Sequence, residues 1–425
     1  MRIAVVGAGW AGLAAAVTGI EAGHQVSLYE ASRTPGGRAR AVPGALPDGT
    51  PTTLDNGQHI LIGAYSHTLA LMRTVGVAPE HVLLRLPLTL CFPDGNGIQL
   101  PYWSAPWDAL AGILGARGWH LADKWSLLRL AVGWRRTDFH CASDASVAQV
   151  CQGASARVLQ ELIEPLCVSA LNLDSAQASG SVFLRVLRDA LFGAPGASNL
   201  LLPQVDLGRL LPDAAVHWLA AHGANVHLAS RVQALAALGN QWQIGGDVFD
   251  RVILATPAAD SVRILHATTN SCTAVLALSI ARWIAVAQTL RHTAITTVYA
   301  FGAGVHLPHP MLALRSASGP AQFVFDRGQL GGPTGLLAFV VSASTGERDA
   351  LQEQVLRQAQ AALGLKLQPL QTVVEKRAAF ACTPGLMRPP AAIAPGLSAC
   401  ADFVEGPYPS TLEGAVRAGM ALRAC

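Results

Sequence analysis

The sequence predicts an α/β protein in which a discontinuous domain, built on a parallel sheet, carries an inserted mixed α+β domain. Three observations predict it. A buried strand, a glycine-rich turn, a helix and a second strand follow one another within the first 30 residues. A further α/β stretch begins after residue 200 and ends in the apolar run Val252-Ile253-Leu254. A carboxylate-bearing segment at Asp402 and a helix start near Leu412 close the chain. With 425 residues there is room for two domains or for one interrupting another.

Ile3-Ala4-Val5-Val6 is a short apolar run bounded by glycine, as suits a buried parallel strand. Gly7-Ala8-Gly9-Trp10-Ala11-Gly12 follows in the G-x-G-x-x-G spacing. Gly7 permits the tight turn, Gly9 lets a pyrophosphate approach the backbone, and Gly12 lets the helix pack on the strand. The free N–H groups of the helix's first turn, at Trp10 and Ala11, are placed to receive phosphates. Leu13 to Val17 are good helix formers, and Gly23 suits the C-terminal cap. Val26-Ser27-Leu28-Tyr29 reads as the second strand, with Glu30 at its end to accept from ribose hydroxyls. This is a Rossmann-like dinucleotide unit.

The next segment selects FAD over NAD. Pro35-Gly36-Gly37-Arg38 follows the ribose acid, where a simple NAD domain needs no such loop. The glycine pair allows close backbone approach, Gly37 included, and Arg38 can approach the pyrophosphate or flavin as a fork donor. Asp55-Asn56-Gly57-Gln58-His59 is a polar turn between apolar stretches. It suits a loop beside the flavin ring, with Gly57 and Gln58 as cofactor contacts.

Composition bounds the partners. Hydrophobic residues make up 51% and charged residues 13%, against an average of about 25% charged, and mean hydropathy is +0.35. An alanine-rich α/β enzyme, a large apolar cavity and a monotopic membrane association all accommodate this. The most apolar long stretch, around residues 273–290, contains Arg282, and no segment reads as a transmembrane helix. The N-terminus runs straight into the glycine loop and is not read as a signal peptide. Net charge is +3 with no long Lys/Arg run, so no nucleic-acid footprint is expected. Eight cysteines are scattered without Cys-x-x-Cys and read as reduced, mostly buried cytosolic thiols. His217, His222 and His227 recur every five residues, which does not place them on one helix face, so no metal site is expected.

After residue 200, Leu207–Leu219 reads as a helix interrupted by Pro212, and Asn225-Val226 as a strand. Val232 lies just beyond and is expected among the cofactor contacts. Near the end, Ala399-Cys400-Ala401-Asp402 reads as a strand end whose carboxylate can accept from a ribityl hydroxyl. Ser410-Thr411-Leu412 then starts a helix whose dipole can stabilise a reduced, anionic flavin. Thr411 and Leu412 are cofactor contacts on that reading, and Ser410 or Thr411 also serves as a plain N-cap.

Gly7–Gly12, Glu30, Gly36-Gly37-Arg38, Asp402 and Leu412-Glu413-Gly414-Ala415 together resemble the flavin amine oxidase and phytoene desaturase superfamily. Longer segments resemble, more narrowly, the hydroxysqualene dehydroxylase (squalene-associated FAD-dependent desaturase) family. They are the stretches 55–65, 164–172, 377–380 and 408–417. One departure is Ala401, where the family commonly has glycine before the aspartate. The resemblance implies an FAD-dependent, amine-oxidase-type fold and reductive removal of the hydroxyl of hydroxysqualene. It places the chain in bacterial squalene and hopanoid synthesis, in the cytoplasm or peripherally on the inner face of the membrane. A C30 isoprenoid substrate explains the apolar composition. Trp103, Trp107, Trp119, Trp125 and Trp134 are candidates to line its tunnel, to sit at a membrane interface or to pack in the core.

The implied chemistry needs an acid for the departing hydroxyl, with FAD carrying the redox chemistry. His59 and Glu164 are the candidates. Burial of Glu164 in its apolar stretch would keep it protonated. Structural roles for both stay open. So do three rivals: an oxidative phytoene-type desaturase, a flavin amine oxidase, and a non-catalytic prenyl-binding chaperone. The expected FAD domain uses residues 1–85, 200–260 and 375–425, and the expected substrate domain 86–199 and 261–374.

Overall fold

The computed structural model describes residues 1–104, 106–269 and 271–421. Its central six-stranded sheet runs in the order Asn225–His227, Gln25–Tyr29, Arg2–Val6, Arg251–Leu254, Leu397–Ala399, Ala392–Ala394. The first five strands are parallel and the last is antiparallel. Three distant parts of the chain therefore build one sheet, and its first strand is buried from Ile3 to Val6, as its unbroken apolar run requires.

The helix Trp10–Glu21 follows the first strand, and ten of its residues are buried. The C-terminal helix Leu412–Met420 packs against it so closely that a Cβ on Gly419 would stand 2.3 Å from the Ala11 carbonyl oxygen. Pro212 does not interrupt one helix but begins another. Leu207–Leu210 and Pro212–Ala221 are separate, with Pro212 in the first turn, where its missing N–H costs nothing.

A second, antiparallel sheet has the order Met311–Ala313, Phe323–Asp326, Leu336–Val341, His292–Phe301, Gln368–Phe380. Alternation along its strands gives it two apolar faces. Val324, Leu337, Phe339 and Val341 pack with Leu351, Val355 and Ala359 of the helix Arg348–Leu363. Phe323, Phe325 and Val340 point the other way, into a cavity. The strand Gln368–Phe380 runs through the domain boundary expected at 375, because it completes this sheet while its end carries Ala378 to the cofactor side.

The helix Glu164–Leu171 is preceded by a π turn over Leu159–Ile163. Pro165 has no N–H to donate into a regular α turn, which accounts for the local change of register. Asn172 ends this helix in the left-handed region, φ 50°. Its amide is held by Thr293 Oγ1 at 2.7 Å and by the Ala343 N–H at 2.6 Å. Cys151, Cys167, Cys382 and Cys400 are buried free thiols, and Cys91, Cys141 and Cys272 are partly buried. Cys425 lies outside the described residues.

Candidate active site: a glycine cradle joined to an apolar cavity

Two glycine loops form the floor of a cavity of about 480 Å3 at the carboxyl end of the first strand. The Gly36 N–H donates to the Ala8 carbonyl at 2.8 Å, and Gly9 pairs with Gly36 as a parallel bridge. A Cβ on Gly37 (φ +61°) would stand 3.2 Å from Gly9 Cα, so any side chain there would close the space where a ligand backbone passes. The helix Trp10–Glu21 has no side-chain cap, and its first internal bond runs from the Leu13 N–H to the Gly9 carbonyl. The N–H groups of its first turn therefore have no partner inside the helix, and Trp10 and Ala11 both line the cavity. This cradle fits a pyrophosphate.

Glu30 is fixed at the end of the second strand. Its carboxylate accepts from the Ala8 and Ser32 N–H groups, each at 2.7 Å. Arg38 donates to Asp402 Oδ1 at 2.6 Å and to the Ala378 carbonyl at 2.8 Å. This ion pair ties the glycine loop to the C-terminal segment across 364 positions of chain. Thr411 caps the last helix, its Oγ1 accepting from the Gly414 N–H at 2.9 Å. Glu413, fully buried, accepts from the N–H groups of His67 and Thr68 and so caps the helix Ser66–Thr74.

Gly7, Gly9, Trp10, Ala11, Glu30, Gly37, Arg38, Val232, Asp402, Thr411 and Leu412 all line the cradle. Gly12 lies beneath it, against Gly7 and Ala255. Gly57 and Gln58 line a second cavity instead. Gln58 Oε1 accepts from Arg327 at 3.2 Å, and Arg327 in turn faces the buried Asp55 at 3.7 Å. Burial pushes the Asp55 carboxyl up to about 6, against the opposing pull of Arg327.

The second cavity, about 310 Å3, is walled mainly by apolar side chains, among them Leu88, Leu171, Leu187, Met311, Phe323 and Val373. It shares Arg38, His59, Ala378, Ser410, Thr411 and Leu412 with the cradle, so the two cavities meet at these residues. Among the described residues no tryptophan lines it. Trp119 and Trp134 are buried, with their indole N–H groups donating to Glu161 and to the Val150 carbonyl, whereas Trp103, Trp107 and Trp125 are exposed.

The two candidate acids part company. Glu164 does not reach either cavity, because its carboxylate accepts from the Ser175 N–H and hydroxyl, which makes it a local anchor. His59 stands at the junction. Its Nδ1 lies 2.9 Å from the Gly57 carbonyl, which can only accept, so the neutral ring carries its proton on Nδ1 and leaves Nε2 as an acceptor. Burial lowers its pKa, Arg38 adds to this, and the Gly57 bond opposes it. A depressed histidine contributes stability that is full above the ordinary pKa and is lost as pH falls through the folded value. Melting temperature is expected to drop more steeply for the native protein than for His59→Gln as pH falls below about 6.5; parallel curves would show that His59 does not titrate with folding.

Sequence reasoning gave no role in the chemistry to three further ionisable side chains of the apolar cavity, Tyr408, Asp189 and Glu375. The Tyr408 hydroxyl donates to Asp189 at 2.6 Å, and Glu375 accepts from Asn56 at 3.0 Å. Tyr408 is pushed up to about 12, by burial first and by Asp189 next. Asp189 follows Arg188, with which it pairs at 3.1 Å, and Glu375 precedes Lys376-Arg377; neither matches a motif, so only the folded chain brings them to the site.

A nucleotide cradle opening directly onto a largely apolar cavity belongs to an FAD-dependent oxidoreductase. The chain is a member of the flavin containing amine oxidoreductase family, which matches it over residues 10–422. Among curated proteins it is similar to hydroxysqualene dehydroxylase of Sinorhizobium fredii, 27% identical over 98% of this chain and 96% of that one. The hydroxysqualene dehydroxylase of Rhodopseudomonas palustris is 28% identical over the same shares of the two chains. Among solved structures, an oxidoreductase from Methanosarcina mazei shares the fold with a TM-score of 0.73 at 17% identity, covering both chains fully.

Proposed function

We propose that the protein removes the hydroxyl of hydroxysqualene reductively, giving squalene, and that it meets this substrate at the cytoplasmic face of a membrane. The observation that carries the reading is the meeting of the two cavities at His59, Ala378 and Ser410–Leu412. An apolar chain held in the second cavity is delivered there to the cofactor with water excluded. Similarity to hydroxysqualene dehydroxylases along 98% of the chain supports the choice of substrate.

The hydroxyl leaves as water after taking a proton, and the carbon it leaves receives a hydride, the chemistry that FAD supplies when bound. The cradle glycines, Glu30, Arg38 and Asp402 hold the cofactor. The apolar walls orient the polyene. The proton comes from the polar groups of the junction and cavity, either His59, once Nε2 is protonated, or the Tyr408–Asp189 pair.

The test is an anaerobic assay of the flavin-loaded protein, chemically reduced and given hydroxysqualene. Squalene formed together with reoxidised flavin supports the reading. No squalene, with flavin reduced when a more saturated isoprenoid is offered to the oxidised protein, replaces it with an oxidative desaturase.

A further inference from the structure

The described chain exposes twelve large hydrophobic side chains to any great extent, and seven of them lie between Tyr102 and Val132. They belong to the loop before the helix Trp107–Gly115, to that helix, and to the helix Leu121–Arg136. The second helix departs from an ordinary surface pattern, because it carries large apolar side chains on its outward side as well as its buried one. Asp123, Leu127 and Trp134 are its buried side. On the opposite side, Leu121 (84% exposed), Trp125 (64%), the partly buried Leu128 and Val132 fall at spacings of four, three and four. At 3.6 residues per turn these four occupy an arc of about 60°.

Cations flank this stripe on both sides. Lys124 and Arg135 fall along one edge, Arg129 and Arg136 along the other. Both acids of the segment are turned inward. Asp123 is buried and accepts from the His120 N–H, and Asp108 is buried beside the backbone of its own helix. The outer face is thus apolar, aromatic at one end and positively charged at its margins. Trp107 (64% exposed), Tyr102 and Trp103, on the preceding helix and the loop before it, are exposed as well. Exposed indole and phenol rings of this kind settle at the level of lipid headgroups.

We propose that this two-helix edge is the surface by which the protein docks onto an anionic lipid bilayer, with the helix Leu121–Arg136 lying in the plane of the interface. An amphipathic helix with aromatic and leucine side chains on one face and flanking cations is the physical form of such an anchor. A second copy of the chain is the poorer occupant, because a symmetric contact would set the two rims of arginine against each other. The proposal deepens the membrane step of the function given above, but binding to vesicles can be read without substrate or turnover, so the two stand or fall separately.

The experiment is flotation of the full-length, flavin-loaded protein with vesicles of phosphatidylcholine, with and without phosphatidylglycerol. The native protein is expected to float with the anionic vesicles, and added salt should weaken the association. The triple variant Trp107→Ser/Leu121→Ser/Trp125→Ser should lose about tenfold or more of the partition, while keeping its flavin and its turnover on detergent-dispersed substrate. Arg129→Gln/Arg136→Gln should lower binding to anionic vesicles more than to neutral ones. Native protein that stays with neither vesicle, or a triple variant that floats like the native, overturns the proposal. So does a native dimer that the triple variant dissolves.

Discussion

Gly12→Ala is expected to weaken flavin binding about tenfold or more and so to lower the flavin content of the purified protein. A Cβ at this position would stand 1.8 Å from the Gly7 carbonyl oxygen and 3.0 Å from Ala255 Cβ, at the ends of two neighbouring strands. Two effects oppose each other. Alanine favours a helix over glycine by about 1 kcal/mol, whereas forcing a methyl into a packed contact costs about 1–3 kcal/mol or more. The contact at 1.8 Å is with backbone, which cannot rotate away, so packing wins. The helix Trp10–Glu21 must lift from the first strand, and the N–H groups of Trp10 and Ala11 leave the phosphate position. Since about 1.4 kcal/mol corresponds to a factor of ten, flavin affinity should fall about tenfold or more and melting temperature with it. Gly133→Ala supplies the contrast, because a Cβ there meets nothing within 4 Å; it should raise stability slightly. Equal flavin content in Gly12→Ala and native protein would show that the close strand–helix contact is not what shapes the cradle.

The glycine cradle is legible in the sequence because the demands there are local. Gly7, Gly9 and Gly12 act through the backbone turn they occupy, Glu30 through the strand end beside it, and Thr411 through the helix it begins. Arg38 and Asp402 each looked like a cofactor contact, but their mutual ion pair depends on a separation of 364 residues that no pattern predicts. The apolar cavity was legible only as composition. Its walls come from at least five separate elements whose alternation is that of any strand or helix packed on two sides. Phe323 and Val324 are neighbours in sequence, yet one faces the cavity and the other the helix Arg348–Leu363. Glu164 illustrates the converse. An acid in an apolar run suggested a buried proton donor, but Ser175, eleven residues on, satisfies both its oxygens. The tryptophans divided for a similar reason. Trp119 and Trp134 found acceptors for their indole N–H groups in Glu161 and the Val150 carbonyl, and Trp107 and Trp125 are exposed on their helices.

The separation between cradle and cavity leads to the other large effect. Val373 lies on the strand Gln368–Phe380 opposite Thr297, lines the apolar cavity and takes no part in the cradle. Val373→Trp should place an indole in the space proposed for the polyene. If it displaces about 100 Å2 of apolar contact, at about 25 cal/mol per Å2, the substrate loses about 2.5 kcal/mol of binding. That corresponds to a fall in kcat/KM of roughly a hundredfold. Because Val373 does not line the cradle, flavin content and the visible absorption spectrum should match those of the native protein. Val373→Ala, which enlarges the cavity, should keep most of the turnover and raise KM modestly. Retained flavin with lost turnover in the tryptophan variant alone places the substrate in this cavity. Unchanged kcat/KM would instead put the reacting chain outside it, and loss of flavin from Val373→Trp would mean that the two cavities are one mechanical unit.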